Sequence, residues 1–283
     1  MTTAKRLAGF EERWAELRGA RLRYYTAGSG PPLALIHGLG GAAINWLAVA
    51  PELARRWRVL ALDLPGHGGS SPVAALPNLN PFADAVHALL AWEDMLPAAL
   101  VGHSLGAVVA MRHAQRHAED TTALVLAGAA GISSSTRLAE VTLTLGTLVQ
   151  PGRRLARFRT RIGRSPSLRA AVFGGWGAAD PLALRPELAE AFLEGTLLHT
   201  DVAAAAAALV ADDPRTDLVA VRCPCLVLWG ARDTQVPVED AFEYARRLSA
   251  DLRLIADCGH LLVGERPDVC VDAVESFLVR VLG

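Results

Sequence analysis

Short, mostly apolar runs alternate along much of the chain with longer segments whose apolar residues recur every three or four positions. Short apolar runs are typical of strands buried on both faces, and the longer periodic segments are typical of helices with one buried face. Strands that alternate with helices pair in parallel, so the pattern predicts an α/β fold with a mostly parallel sheet flanked by helices. The predicted strands are residues 32–36, 58–62, 98–101, 122–127, 225–230 and 252–256, and the clearest helices are residues 107–117 and 267–282.

This alternation stops between residues 132 and 215. The segment opens with a run of serines and threonine, continues with arginine-rich and alanine-rich helical stretches, and closes with two aspartates and a proline. We therefore predict a core made of residues 1–131 and 216–283, interrupted by an inserted helical cap, residues 132–215. Such an insertion lies over the site of many enzymes, so we expect it to determine much of the specificity.

A serine stands at a predicted turn from strand to helix, in the sequence Gly102-His103-Ser104-Leu105-Gly106. A sharp turn of this kind strains the backbone and leaves no room for side chains at the flanking positions, which glycine satisfies. It presents the serine hydroxyl at the end of the sheet, beside the N–H groups that begin a helix. The pattern is typical of a nucleophile elbow, and Ser104 is the candidate nucleophile.

Two partners for this serine follow later strands. Asp233 comes just after the strand 225–230, and His260 comes after the strand 252–256. Carboxyl ends of parallel strands share one edge of a sheet, so we expect both side chains near Ser104. Asp233 is also of a type that caps turns, but the other common place for the acid, after the strand 122–127, holds no carboxylate. The hypothesis is therefore a triad of Ser104, Asp233 and His260.

With these residues the chain resembles the α/β-hydrolase superfamily, of the single-chain bacterial serine esterase type. The segment 37–41 resembles the oxyanion loop of that family, the segment 63–68 its next loop, and residues 229–237 its acid loop. His260, Glu265 and Pro267 also follow its spacing. The resemblance implies an oxyanion hole formed by the backbone N–H groups of Leu39 and Leu105. It also implies hydrolysis of a carboxylic ester through an acyl-serine, without a metal or organic cofactor.

Composition sets the remaining expectations. The chain has 283 residues, 52% of them hydrophobic, and a formal net charge of −1, which gives no reason to expect nucleic-acid binding. The first ten residues lack the apolar segment of a signal peptide, and the longest apolar stretch, residues 202–211, is too short for a bilayer. We expect a cytoplasmic protein with a small-molecule ester substrate and no stable membrane insertion. Its oligomeric state stays open.

The four cysteines show neither zinc spacing nor a CxxC pair, so free thiols are expected at positions 223, 225, 258 and 270. Other histidines have simpler roles: His37 and His67 fix loops, His103 precedes the nucleophile, and His113 and His117 lie at helical spacing as surface or packing residues. Of the large aromatics, Trp46, Phe173 and Trp176 fit either the core or an acyl pocket.

Three alternatives stay open. Arginines crowd residues 153–169, where no acidic residue occurs, and they form either a solvated helix face or an electropositive rim for an anionic group. Hydrolases of ring-cleavage products cut C–C bonds with the same triad, but that family commonly carries tryptophan where this chain has Gly264. A non-catalytic binding protein on the same fold is the third, and it would have no need of the complete triad.

Overall fold

The computed structural model describes residues 6–17, 19–72, 78–133, 151–197 and 202–283. Eight strands form one sheet in the order β1-β2-β4-β3-β5-β6-β7-β8. Only the pairs β1/β2 and β2/β4 of this sheet are antiparallel, and the others are parallel. The predicted mostly parallel sheet is therefore confirmed. The strands are β1 Glu11–Leu17, β2 Ala20–Ala27, β3 Pro32–Ile36, β4 Arg58–Leu62, β5 Ala98–His103, β6 Thr121–Ala127, β7 Cys225–Gly230 and β8 Asp251–Ile255.

Helices cover both faces of the sheet. In the described part of the chain the α-helices are α1 Ala50–Leu53, α2 Asn80–Trp92, α3 Leu105–Arg116, α4 Pro151–Leu155, α5 Arg159–Arg164, α6 Pro166–Gly174, α7 Pro186–Leu197, α8 Val202–Val210, α9 Val238–Leu248, α10 Leu262–Glu265 and α11 Pro267–Leu282. Short 3₁₀ turns are Ala43–Trp46, Ala118–Asp120, Ala156–Phe158, Pro214–Thr216 and Leu218–Ala220. No described helix is long and apolar enough to cross a membrane.

The two faces of the sheet carry separate cores because side chains alternate along each strand. On β3, Leu33 and Leu35 face the core that includes α11, whereas Ala34 and Ile36 face the core that includes α2 and α3. All four side chains are fully buried. Strands in the centre of a parallel sheet need apolar residues at every position, which is why their sequences are continuous apolar runs.

Between β6 and β7 the described elements are all helical, namely α4 to α8 and three 3₁₀ turns. Helix α7 packs against the 3₁₀ turn Ala43–Trp46 of the core. The predicted cap boundaries, 132 and 215, stay a prediction, and residues 134–150 of that segment lie outside the described residues.

A buried ion pair ties the end of this helical segment to the core. The guanidinium of Arg112, on α3, donates to the carboxylate of Asp212, with Nε 3.0 Å from Oδ1. The same carboxylate accepts the backbone N–H of Leu79. Arg112 also reaches Asp217 at 3.0 Å. The helix that follows the candidate nucleophile thus holds the place where the chain returns to the sheet.

Candidate active site

Ser104 occupies a strained turn between β5 and α3. Its backbone has φ 55° and ψ −118°, a region that side-chain-bearing residues rarely adopt and that costs about 1–3 kcal/mol. The turn is held by the N–H of Ser104, which donates to the carbonyl of Ala127 at 2.9 Å. A Cβ on Gly102 would overlap the backbone of the first turn of α3, and one on Gly106 would overlap the carbonyl of Ile36. Both glycines are therefore sterically required.

The loops after β7 and β8 bring the side chains of Asp233 and His260 together. The Nδ1 of His260 lies 2.8 Å from Oδ2 of Asp233, and the two side chains are 5% and 0% exposed. The other carboxylate oxygen, Oδ1, accepts the N–H groups of Gln235 and Val236 at 2.8 and 2.9 Å. A carboxylate only accepts, so Nδ1 of His260 carries a proton, and in the neutral ring the lone pair is then on Nε2. That is the tautomer a general base requires.

The backbone of His260 is fixed on both sides. His103 Nε2 lies 2.8 Å from the carbonyl of His260 and donates to it. Burial, and secondarily the neighbouring His260, lowers the pKa of His103 to about 4, so this ring is neutral at neutral pH. The N–H of His260 donates to the carbonyl of Gly177 at 2.7 Å, in the predicted cap. His103 thus has the structural role expected from the sequence.

Glu265 joins the loop of His260 to the predicted cap. Its Oε1 accepts the N–H of Gly259 at 3.1 Å, and its Oε2 accepts the N–H groups of Ala179 and Asp180 at 2.9 and 3.0 Å. The carboxyl group is buried, and burial raises its pKa. Sequence spacing marked this residue, but two of the three bonds that explain it come from residues 179 and 180, far away in the chain.

The predicted oxyanion loop lies opposite Ser104. Leu39 lines the same cavity as Ser104, and Leu105 begins α3, where an N–H has no acceptor within the helix. His37 fixes the loop, since its Nδ1 lies 2.8 Å from the carbonyl of Gly38 and its Nε2 accepts the N–H of Leu64 at 3.0 Å. The assignment of Leu39 and Leu105 as oxyanion donors stays a prediction.

The buried carboxylate of Asp63 holds the segment that follows this loop. Asp63 has no exposed surface and accepts the N–H of Ala43 at 2.7 Å and that of Gly69 at 2.8 Å. Its charge is balanced by Arg23, whose Nε lies 2.6 Å from Oδ2. Asp63 therefore connects the segment after the oxyanion loop with the loop after β4, and it has a structural rather than a chemical role.

A cavity of about 690 Å³ opens onto Ser104 and His260. The predicted core and the predicted cap both contribute to its wall. Trp176 lines it, whereas Trp46 and Phe173 are buried in the core, so only one of the three aromatics singled out in the sequence is placed for substrate contact. The lining is mostly apolar: Leu39, Ala130, Trp176, Phe192, Leu209, Val236, Pro237 and Leu261. Its polar side chains are Asn45, His103, Ser104, Ser133, Thr234, Gln235 and His260.

Phe192 explains the departure at Gly264. A Cβ on Gly264 would lie 2.5 Å from the ring of Phe192 and 2.7 Å from the side chain of Leu184. The place where the C–C bond hydrolases commonly carry tryptophan is thus filled here by a side chain from α7. Phe192 was not singled out in the sequence, because an aromatic residue on a periodic helix looks the same whether it packs in a core or lines a cavity.

The described arginines of residues 153–169 do not line the cavity. Several of them are exposed, among them Arg157, Arg161 and Arg164. Arg169 is buried and donates to the carbonyl of Gly163, so it packs within the helical segment. The cysteines are free thiols, and burial raises the pKa of Cys258, beside the site, to about 12.

A model of the alpha/beta hydrolase family matches residues 33–273. The chain belongs to this family. One relative is the dihydrolipoyllysine-residue acetyltransferase component of an acetoin cleaving system from Pseudomonas putida. The two sequences are 30% identical over a stretch that covers 93% of this chain and 68% of the relative. The range matched by the family model includes every residue of the candidate triad and oxyanion loop.

Other members of the alpha/beta hydrolase family differ in activity. A pimeloyl-[acyl-carrier protein] methyl ester esterase from Chromobacterium violaceum is 33% identical, over 75% of this chain and 80% of the relative. A 2-hydroxy-6-oxo-6-(2'-aminophenyl)hexa-2,4-dienoic acid hydrolase from Metapseudomonas resinovorans is 28% identical, over 96% and 92%. A solved thermophilic esterase from Thermogutta terrifontis superposes with a TM-score of 0.77 at 25% identity, covering 96% of this chain and all of that one. Hydrolase chemistry is common to these three relatives.

Proposed function

We propose that this alpha/beta hydrolase cleaves carboxylic esters through an acyl-serine intermediate, with Ser104 as nucleophile, His260 as base and Asp233 as the acid of the triad. The observation that carries the proposal is the buried pair His260–Asp233, joined at 2.8 Å, beside a cavity that Ser104 also lines. The esterases among the relatives support the same chemistry.

The proton transfers follow from the tautomer of His260. Its free Nε2 takes the proton of the Ser104 hydroxyl as the oxygen attacks the ester carbonyl. The imidazolium then gives this proton to the departing alcohol, and Asp233 stabilises the positive charge. Water attacks the acyl-serine by the same route in reverse and releases the acid.

Negative charge develops on the former carbonyl oxygen during each attack. We propose that the N–H groups of Leu39 and Leu105 donate hydrogen bonds to this oxygen and stabilise its charge. A backbone donor of this type contributes about 3 kcal/mol to the transition state. Because the donors are main-chain groups, changes in the Leu39 side chain affect substrate fit more than the chemistry.

The lining supports a neutral, partly apolar substrate. Among the described residues, the polar side chains that line the cavity are amides, hydroxyls and imidazoles, and the pKa of His103 is low enough to keep it uncharged. The dienoic acid named for the C–C bond hydrolase relative, by contrast, carries a carboxylate, and a carboxylate in a buried site needs a cation beside it. This favours ester hydrolysis over C–C cleavage. Trp176 and Phe192 are the side chains that we propose set the size of the acyl or alcohol group.

The test uses intact-protein mass spectrometry after treatment with a small fluorophosphonate, alongside a panel of aryl esters of increasing chain length. We expect one label per chain and ester turnover in the wild type. Ser104→Ala removes both, and the control Ser133→Ala, a serine of the same cavity, keeps both. Labelling that persists in Ser104→Ala contradicts the mechanism. Labelling without ester turnover favours C–C cleavage, and no labelling favours a non-catalytic binding protein.

A further inference from the structure

Three histidines gather between α2 and the end of α3, and none of them lines the cavity. This histidine cluster consists of His87, His113 and His117. The ring centroids of His87 and His117 are 3.8 Å apart, and His113 lies 5.5 and 5.1 Å from them. The proposed hydrolysis makes no use of these residues, and their helical spacing alone predicts only surface or packing roles.

A carboxylate completes a compact set of donor atoms. One ligand atom each from His87, His117 and Asp120 lies within 4.8 Å of the other two. His87 Nε2 and Asp120 Oδ2 lie 3.1 Å apart, at hydrogen-bond distance. When two ligand atoms bind one tetrahedral zinc ion at the usual distances, those two atoms are about 3.4 Å apart. The pair is therefore already near the spacing that one ion requires.

A second observation comes from His113. The Thr121 hydroxyl donates its only proton to the carbonyl of His117 at 3.1 Å, so it accepts from Nδ1 of His113 at 2.9 Å. The Nε2 of His113 then carries a bare lone pair. This atom is fully buried and has no hydrogen-bond partner among the described residues. A buried nitrogen lone pair without a partner is costly, so the described residues leave this buried side of the cluster unsatisfied.

The charge around the cluster also suits a cation. The guanidinium of Arg116, at the end of α3, forms a two-point ion pair with Asp84, at 2.9 and 3.0 Å. Its charge is thus compensated within the pair, and the carboxylate of Asp120 remains to balance an ion. Asp120 and the two outer imidazoles are partly exposed, which gives an ion access from solvent.

We propose that His87, His117 and Asp120 bind a divalent transition-metal ion of the zinc type, at a site separate from the catalytic cavity. Imidazole with one carboxylate is a donor set suited to Zn²⁺, Ni²⁺ or Co²⁺. The His117 ring stacks on the His87 ring with 26° between their planes, and its Nε2 lies 3.4 Å from Asp84, so binding moves the two imidazoles out of this stack and onto the ion. Binding connects α2 to the segment between α3 and β6.

The first experiment is calorimetric titration of the chelator-treated full chain with ZnCl₂. We expect one equivalent to bind the wild type, and His87→Gln and Asp120→Asn each to weaken binding by about 100-fold or more. The control His260→Ala keeps the wild-type affinity, because the triad also offers an imidazole beside a carboxylate. Loss of binding in His260→Ala, or full binding in both cluster variants, overturns the proposal, as does the absence of binding.

A second readout keeps the test independent of folding. Asp120 is partly exposed, so we expect metal-free Asp120→Asn to melt near the wild-type temperature. Added Zn²⁺ then raises the melting temperature of the wild type and of His260→Ala, but not that of Asp120→Asn. An equal rise in all three proteins contradicts the site. Neither readout depends on esterase activity.

Discussion

Replacing Asp233 by asparagine tests the proposed triad most sharply, because the structure fixes how the new amide must point. Oδ1 of Asp233 accepts two backbone N–H groups, from Gln235 and Val236, at 2.8 and 2.9 Å. An asparagine has one acceptor oxygen and one NH₂ group. The oxygen must therefore face the two N–H donors, which turns the NH₂ toward Nδ1 of His260.

The consequence for His260 follows directly. An NH₂ group donates, so Nδ1 becomes the acceptor and the ring proton moves to Nε2. The imidazole is then unable to take the proton of Ser104. A wrong tautomer of this kind lowers kcat by about 10⁴, which corresponds to about 5.5 kcal/mol of activation free energy. The fold is expected to survive, since the amide keeps the backbone bonds.

The assay compares initial rates of aryl ester hydrolysis by wild type and Asp233→Asn, with circular dichroism to verify folding. Asp257→Asn is the matched control, since Asp257 is an exposed aspartate three residues before His260. We expect this control to hydrolyse esters like the wild type. Rates for Asp233→Asn within tenfold of the wild type refute the reasoning, because they show that another group orients His260 or that His260 is not the base.

Three further outcomes are expected. Ser104→Gly is more resistant to urea than Ser104→Ala by about 1 kcal/mol, because glycine adopts the φ of 55° without strain; equal stabilities argue against a strained elbow. Arg112→Gln leaves the Asp212 carboxylate buried and unpaired and lowers the free energy of unfolding by about 3–5 kcal/mol, whereas Arg116→Gln, in a more exposed pair, costs less than about 1 kcal/mol in the same titration. His103 has a pKa of about 4 when folded and an ordinary value near 6.5 when unfolded, so the unfolded chain binds more protons and stability falls as the pH drops from 6.5 to 4. Urea titrations at several pH values in this range give the slope of the unfolding free energy against pH. For His103→Gln this slope should be smaller, by the equivalent of up to about one bound proton, and an unchanged slope excludes His103 as the cause.

Six strands of the sheet could be predicted from the sequence, three of them with the bounds that the structure shows. The runs 32–36, 58–62 and 225–230 coincide with β3, β4 and β7. The hairpin β1/β2 was not predicted, because its strands mix charged and apolar residues and lie toward the sheet edge, with β2 alone bordering β4. Edge strands keep one face or side in solvent, so their apolar pattern is weaker.

In the candidate site, too, some features could be predicted from the sequence and others could not. Ser104, Asp233 and His260 were identifiable because a turn between glycines and a polar residue after a buried strand are local signals. Their contacts were not: the 2.8 Å bond of His260 to Asp233 depends on how β7 and β8 pair. The support from Glu265 joins a core loop to residues 179 and 180 of the predicted cap, a contact that no local pattern encodes.

The sequence by itself determined what short-range sterics and periodicity determine, namely the parallel strands, the strained serine turn and the order of the three candidate residues. Only the tertiary structure decided which side chains share a cavity and which side chains fill the space beside Gly264. It also decided that three histidines, one on α2, one on α3 and one just after α3, stand together. The physical reason is distance along the chain. A turn or an apolar strand is set by neighbouring residues, whereas a cavity wall is set by the packing of elements far apart in sequence.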